Sequence, residues 1–204
     1  MSDLSLLTKE EIILWLLGIV IAYFIGNISP SILISRAAGI DIRSKGSGNA
    51  GTTNMLRVMG KKAAAATLII DILKGVIAVL IGRYLGGETL AVICGLAVFI
   101  GHIWPVVFGL RGGKGIATGL GLLVTIYPPI GLICLAIAAL GFLISRRVSV
   151  GALLAAVFLP FLAYYYLPDY VVIFSVMAVI VIIKHRSNII RLIKGQEPKT
   201  GFKK

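Results

Sequence analysis

Long apolar segments, broken only by short polar stretches, dominate the chain and limit what it can fold into. A hydrocarbon core of about 30 Å is crossed by roughly 20 apolar helical residues, and in lipid each backbone amide must find its partner inside the protein. Runs of this kind lie near residues 11 to 35, 63 to 82, 89 to 108, 148 to 166 and 169 to 184. The stretch from Ile116 to Ile144 is too long for one helix and carries "YPP" at 127 to 129, which predicts two short spans joined by a proline turn. Composition agrees: 58% of the 204 residues are hydrophobic, 14% are charged, and the mean hydropathy is +1.01. The expectation is an all-α integral membrane protein with seven transmembrane helices, forming one membrane-embedded domain over residues 1–204. The opening "MSDLSLLTKEE" has no basic stretch of the kind that precedes a cleaved leader, so the first span is expected to be retained. Cys94 and Cys134 fall inside apolar runs and read as small buried hydrophobes.

Charge placement sets the orientation. With seven spans, seventeen Lys and Arg residues lie on one side, Lys9 and Arg83 on the other, and Lys74 within a span. The positive-inside rule then puts the N-terminus outside and the C-terminus in the cytoplasm. The net charge of +12 is a cytoplasmic face that also attracts anionic lipid. No nucleic-acid partner is read into it.

The polar insertions collect on that same side. They are "DIRSKGSGNAGTTNMLRVMGKK", "GHIWPVVFGLRGGKGIAT", "SRRVS" and "KHRSNIIRLIKGQE", and their side of the membrane allows them to meet in one site. The outer connections "RYLGGE", "YPP" and "YLPDY" offer little chemistry. Two nucleotide fingerprints are approached and missed. Residues 46 to 51 fit G-x-G-x-x-G with Asp71 twenty residues on, but no strand precedes them and Asp71 sits inside an apolar run. "GLRGGKGIAT" has Gly109 one residue too close to Gly113 and Lys114, and Gly115 stands where Ser or Thr is required. What remains is the general ability of glycine-rich backbone to offer amide N–H groups to anions, helped by a following helix N-terminus. Asp71 and Lys74, at i and i+3, share a helix face and can pair; ionisable residues inside a membrane are candidates for function by default.

Taken together, "DIRSKGSGNAGTTN", "GHIWPVVFGLRGGKGIAT", "KHRSNIIRLIKGQE" and "DILKG" resemble the conserved cytoplasmic motifs of the bacterial PlsY family, membrane acyl-phosphate:glycerol-3-phosphate acyltransferases. The likeness covers nearly the whole chain; Thr52 stands where a small Ala is expected. It implies acyl transfer from acyl phosphate to glycerol 3-phosphate without coenzyme A, giving lysophosphatidic acid and inorganic phosphate, in the bacterial inner membrane with the site facing the cytoplasm. An acyl phosphate is already activated, so positioning and charge neutralisation are expected to dominate. Asp41, Asp71 and Glu197 are too scattered to argue for a metal centre, and no cofactor or obligate protein partner is expected.

The resemblance assigns chemistry to Ser47, Arg57, His102, Lys114 and His185. The acyl-phosphate head group is expected on Gly112, Gly113, Lys114 and Gly115 with Thr118 in the next turn, and glycerol 3-phosphate on Ser47, Asn49, Asn54 and Arg57 with His185 and Asn188. Arg43, Gly46, Gly48, Thr53, Asp71, Lys74, Ser149 and Arg191 complete the expected substrate-binding set. The His-x4-Asp pair of coenzyme-A-dependent enzymes is missing: the fifth residue after His102 is Val107 and after His185 is Ile190. The base is therefore a histidine or, as the resemblance also allows and as is expected here, a substrate phosphate oxygen. An organic-phosphate transporter would also use glycines and cations, but at the midplane of inverted repeats. A lipid-binding scaffold would explain the basic face and leave the Asn, Thr and His residues without a purpose.

Overall fold

A computed structural model of the chain describes residues 8–199. Among the described residues it contains helices and loops and no strand. The helices are α1 (Lys9–Asn27), α2 (Pro30–Ala37), α3 (Thr52–Val58), α4 (Lys61–Ile103), α5 (Ile116–Ile126), α6 (Pro128–Ser145), α7 (Val148–Tyr166), α8 (Val171–Lys184) and α9 (Arg186–Ile193). They fall into two compact units, one ending at Ile126 and one beginning at Tyr127.

In the first unit, α1 starts on a capping box. Thr8 accepts from the Glu11 amide while the Glu11 carboxylate accepts from the Thr8 amide, so two orphan donors of the first turn are satisfied. The first apolar run does not continue as one helix to residue 35. Pro30 has no N–H to donate to the Gly26 carbonyl and biases Ser29 toward extended backbone, so the helix breaks at Ile28 and Ser29 and restarts as α2.

α4 is 43 residues long but folds back on itself. Gly86 and Gly87 leave the helical region, and Gly87 has φ +72, a conformation that glycine adopts without penalty. Beyond them the chain returns along the first arm so closely that a Cβ on Gly82 would lie 2.7 Å from the Leu90 carbonyl. Arg83 and Glu88 pair across this turn, Nε to Oε1 at 2.6 Å. α1 lies against the returning arm, where Gly26 and Gly101 meet backbone to backbone. α5 crosses the outgoing arm at Gly75 and Gly121, whose added Cβ atoms would strike the carbonyls of Thr118 and Ile72. Small residues at crossings are what permits such approach between helices in lipid.

In the second unit, α6 begins at Pro128, a residue suited to a first helical position. It packs on α7 at Gly141 and Gly151, where a Cβ on Gly141 would sit 2.9 Å from the Gly151 Cα. α8 and α9 meet at His185 with a bend of 56°.

By length and composition four helical stretches can cross a membrane: Lys9–Ala37, Lys61–Phe108, Pro128–Ser145 and Val148–Tyr166. Counting the bent pair Pro168–Lys184 and Arg186–Ile193 as one makes five. The seven spans expected from the sequence follow only if the arms of α4 count separately and α5 also counts. With 11 residues, α5 is about 16 Å long, too short to cross alone.

The Gly26 and Gly101 contact yields a test. Gly101→Leu places a side chain against the Tyr23 carbonyl and the Gly26 Cα, 3.1 Å from an added Cβ. Overpacking of this kind costs about 1–3 kcal/mol or more. The thermal midpoint of the purified protein in detergent should fall by several degrees; an unchanged midpoint would mean that α1 and α4 do not meet there.

Candidate functional site

The candidate polar residues lie in the loops and in the helix turns beside them, with Asp71 and Lys74 further along α4. Before α3, residues 41 to 51 form a loop that side chains fold tightly. Asp41 accepts from the Arg43 amide at 3.0 Å and caps the short 3-10 turn Ile42–Ser44. The Arg43 guanidinium grips the same carboxylate, Nη2 to Oδ2 at 2.8 Å, and donates from Nη1 to the Phe108 carbonyl at 2.9 Å. Arg43 holds the Asp41 carboxyl down, to about 2. Asn54 is buried and braces the loop from inside: Oδ1 accepts from the Ser47 amide at 2.9 Å, and Nδ2 donates to the carbonyls of Ile42 and Lys45 at 3.1 and 3.0 Å. Gly46 passes directly over Asn54 Oδ1 with φ +58, so a side chain there is excluded twice. Ser47, Gly48 and Arg57 remain exposed, while Asn49 and Thr53 are half-buried.

The second loop, between α4 and α5, folds back onto the end of α4. Gly112 donates to the Ile103 carbonyl at 3.2 Å and Gly113 to the His102 carbonyl at 3.1 Å. These two amides were expected to face an anion; in the structure they cap a helix, because the last carbonyls of α4 need donors. Their lack of a side chain serves approach instead. A Cβ on Gly113 would run into His102 Nε2, and one on Gly115, at φ +82, into the Phe99 ring. Lys114 is half-buried, and the first turn of α5 follows. There the Thr118 hydroxyl is fully buried and has no hydrogen-bond partner among the described residues.

Beneath this loop sits a buried polar cluster. Lys74 Nζ lies 2.8 Å from Asp71 Oδ1, 2.7 Å from His102 Nδ1, 3.1 Å from the Gly26 carbonyl and 2.9 Å from the Ile28 carbonyl. All three side chains are 5% exposed or less. The pairing of Asp71 with Lys74 was legible from their spacing; its extension to His102 and to the α1 break was not. Asn27, which sequence reasoning missed, ties the same region by donating to the Tyr23 carbonyl at 2.8 Å and accepting from the Val107 amide at 3.3 Å. Its signal was a lone amide side chain at the end of an apolar run.

In the second unit the polar cluster centres on Glu197. Its carboxylate accepts from Ser149 Oγ at 2.8 Å, Asn188 Nδ2 at 2.6 Å and Arg191 Nε at 2.7 Å, and its backbone carbonyl accepts from Arg147 Nε at 3.0 Å. His185, buried at the bend between α8 and α9, donates from Nδ1 to the Val181 carbonyl at 2.8 Å, which leaves the lone pair of the neutral ring on Nε2.

Residues 16–195 match the family profile described as glycerol-3-phosphate acyltransferase. The chain belongs to this family. The glycerol-3-phosphate acyltransferase of Thermoanaerobacter pseudethanolicus is 49% identical over 187 residues, covering 90% of this chain and 94% of that protein. That of Neisseria meningitidis is 41% identical over 198 residues, covering 92% and 98%. The crystal structure of PlsY, an integral membrane glycerol 3-phosphate acyltransferase, in its glycerol 3-phosphate form superposes with a TM-score of 0.87 at 34% identity. It covers 92% of this chain and 96% of that one. Its lysophosphatidic acid form gives a TM-score of 0.84.

Set in this acyltransferase family, the expected site residues divide by what holds them. Within the first unit, Ser47, Asn49, Arg57, Lys114 and Thr118 border the two loops, whereas Arg43 and Asn54 are engaged in holding the first loop's shape. Asp71, Lys74 and His102 lie beneath the second loop. Within the second unit, Ser149, Asn188 and Arg191 all converge on Glu197, a carboxylate absent from the expected set because its partners are 6 to 48 residues away in sequence.

Burial pushes the Glu197 carboxyl up, but hydrogen bonds from Asn188, Ser149 and Arg191 outweigh it and hold the group below its ordinary value of 4.5. A carboxyl depressed in the folded state adds stability that is complete above the unfolded value and lost as pH falls through the folded one. The thermal midpoint should therefore drop between pH 6 and pH 3 by more in the wild type than in Glu197→Gln. At pH 7 the Gln variant, which weakens hydrogen bonds to a charged acceptor worth about 1.5–3 kcal/mol each, should melt lower. Equal midpoints of the two proteins at pH 7 would contradict the assignment.

Proposed function

We propose that the chain transfers a fatty acyl group from acyl phosphate to glycerol 3-phosphate, giving lysophosphatidic acid and inorganic phosphate, the first acylation step of phospholipid synthesis. The observation that carries this reading is the Thr118 hydroxyl, buried without a partner among the described residues in the first turn of α5 and four residues after Lys114. A buried hydroxyl in such a place asks for an oxygen ligand, and a helix start beside a lysine favours an anionic one. Membership of the family supplies the reaction class, and the bound ligands named for the PlsY structures, glycerol 3-phosphate and lysophosphatidic acid, correspond to an acceptor and a product.

In this reading the acyl-phosphate head group is taken by Lys114, Gly115 and Thr118. Gly112 and Gly113 contribute close approach rather than N–H donors. Glycerol 3-phosphate is taken by Ser47, Asn49 and Arg57, with Asn54 and Arg43 holding the loop that presents them. The acceptor hydroxyl attacks the acyl carbonyl, the anhydride C–O bond breaks, and phosphate leaves with both electrons of that bond. The proton released by the hydroxyl ends on the departing phosphate, so the equation balances without a further reactant. Neutralising the phosphates lowers the repulsion between two anionic substrates and stabilises charge developing on the leaving group.

The seven-span reading, with both arms of α4 and α5 counted, belongs to this proposal, as do the single membrane-embedded domain, the outward N-terminus and the inner-membrane location. The span count rests on the apolar runs and the orientation on the 17-to-2 division of cations. A cysteine replacing Glu88 or Asp169 should react with an impermeant thiol reagent on intact cells and one replacing Lys199 should not; the reverse pattern overturns the orientation.

The donor decides the function. Purified protein given glycerol 3-phosphate and palmitoyl phosphate should release inorganic phosphate and form lysophosphatidic acid in the presence of a chelator, and palmitoyl-coenzyme A should not replace the acyl phosphate. Lys114→Ala should lower kcat/KM by about 10²-fold, the scale of losing one charge-stabilising donor. Equal use of the thioester, or wild-type kinetics in Lys114→Ala, overturns the mechanism.

A further inference from the structure

The cluster of Asp71, Lys74 and His102 fixes something that the substrate-binding reading does not use, namely which nitrogen of His102 carries the proton. A lysine ammonium has three N–H donors and no acceptor. Around Lys74 Nζ the Gly26 carbonyl at 3.1 Å, the Ile28 carbonyl at 2.9 Å and His102 Nδ1 at 2.7 Å take those three donors. His102 Nδ1 is then an acceptor, and the ring proton lies on Nε2. A proton on Nδ1 would set two donors face to face at that distance. Asp71 accounts for the fourth contact. Its Oδ1 stands 2.8 Å from the ammonium and 3.3 Å from His102 Nδ1, a counter-charge to Lys74; the shorter contact of that ring nitrogen is the 2.7 Å one to the ammonium.

The far edge of the ring reaches both glycine-rich loops. A Cβ on Gly113 would strike His102 Nε2 and would lie 2.8 Å from the Ala50 carbonyl, so ring edge, second loop and first loop converge at one point. The same residue holds Gly113 through the main chain, where the His102 carbonyl accepts from the Gly113 amide at 3.1 Å.

We propose that Asp71 and Lys74 act through His102 as a positioning device: they lock the imidazole as the Nε2–H tautomer, aim that N–H at the junction of Gly113 and Ala50, and so hold the two substrate loops in register. With Nδ1 engaged by Lys74, His102 positions rather than takes a proton. His185 is arranged the opposite way, with Nδ1 donating to the Val181 carbonyl and the lone pair on Nε2. The positioning role rests on the acyltransferase reading above; the tautomer does not.

The chain has only two histidines, so the full-length protein carrying 15N-histidine in micelles gives two imidazoles to assign. His102 is identified as the signal lost in His102→Gln or, if that variant does not insert, as the one retained in His185→Asn. At pH 7 the His102 ring should be neutral with its proton on Nε2. A proton on Nδ1, or on both nitrogens, overturns the proposal whether or not the protein turns over acyl phosphate. Absence of turnover by the wild type would instead count against the acyltransferase reading. The kinetic arm compares His102→Gln, which keeps an N–H donor near Nε2, with His102→Ala. A positioning role predicts kcat within about tenfold of wild type for Gln and a loss of about 10²-fold for Ala, the scale of a roughly 1 Å misplacement. Equal losses in two variants that insert and melt alike would make His102 part of the chemistry and end the proposal.

Discussion

A lysine ammonium buried among apolar helices is the constraint around which the first unit is built. Taking a charge out of water costs several kcal/mol unless it is paired and hydrogen-bonded, and Lys74 is 3% exposed. The required partners come from three separate elements: Asp71 one turn earlier, His102 on the returning arm of α4, and the carbonyls of Gly26 and Ile28 where α1 breaks. The Gly26 carbonyl needs a donor because the residue four ahead is Pro30, which has none. The proline break, the turn at Gly86 and Gly87 and the buried ion pair are therefore one construction.

That construction works only if the backbones come close, and glycine is what allows it. Gly26 and Gly101 bring α1 against the returning arm, and Gly75 and Gly121 bring α5 against the outgoing one. In lipid no hydrophobic force distinguishes helix surface from solvent, so contact between helices depends on packing and on polar bonds such as those of Lys74. The loops inherit their positions from these crossings. The second leaves α4 at Ile103, next to His102, and enters α5 at Ile116, so both of its ends are anchored by glycine contacts and by the buried cluster.

Much of this was legible in the sequence, and the parts that were not have definite physical reasons. Apolar runs gave the helices, and "YPP" gave the boundary between α5 and α6. The spacing of Asp71 and Lys74 gave their ion pair. Span number was harder to read because hydropathy measures composition, whereas crossing a membrane needs length; α5 is apolar throughout and still only 11 residues long. For glycines 112 and 113 a local pattern shows that an amide can be presented to an anion, not that a nearby helix end also accepts from it. Arg43 illustrates the same blind spot for side chains: its carboxylate partner is two residues away, but the carbonyl that it also binds is 65 residues on. Glu197 collects donors from α7 and α9, a convergence that no periodicity encodes.

The same accounting of partners bears on how a proton could move in the proposed reaction. Asp41 is held by Arg43, Asp71 by Lys74 and Glu197 by Arg191, and Asp41 and Glu197 both sit below their ordinary range. A carboxylate made less basic by its neighbours is a poor acceptor for an alcohol proton. His102 turns its acceptor nitrogen toward an ammonium. The acceptor that this reading favours is the phosphate that departs with the reaction. A phosphate ester's second proton has a pKa of about 6, close to that of an imidazole, and the leaving phosphate is produced beside the attacking oxygen at the moment the proton must go. A chain whose own bases are engaged in structure gains most by letting the donor carry both the activation and the base, which is the economy that an acyl phosphate offers and a thioester does not.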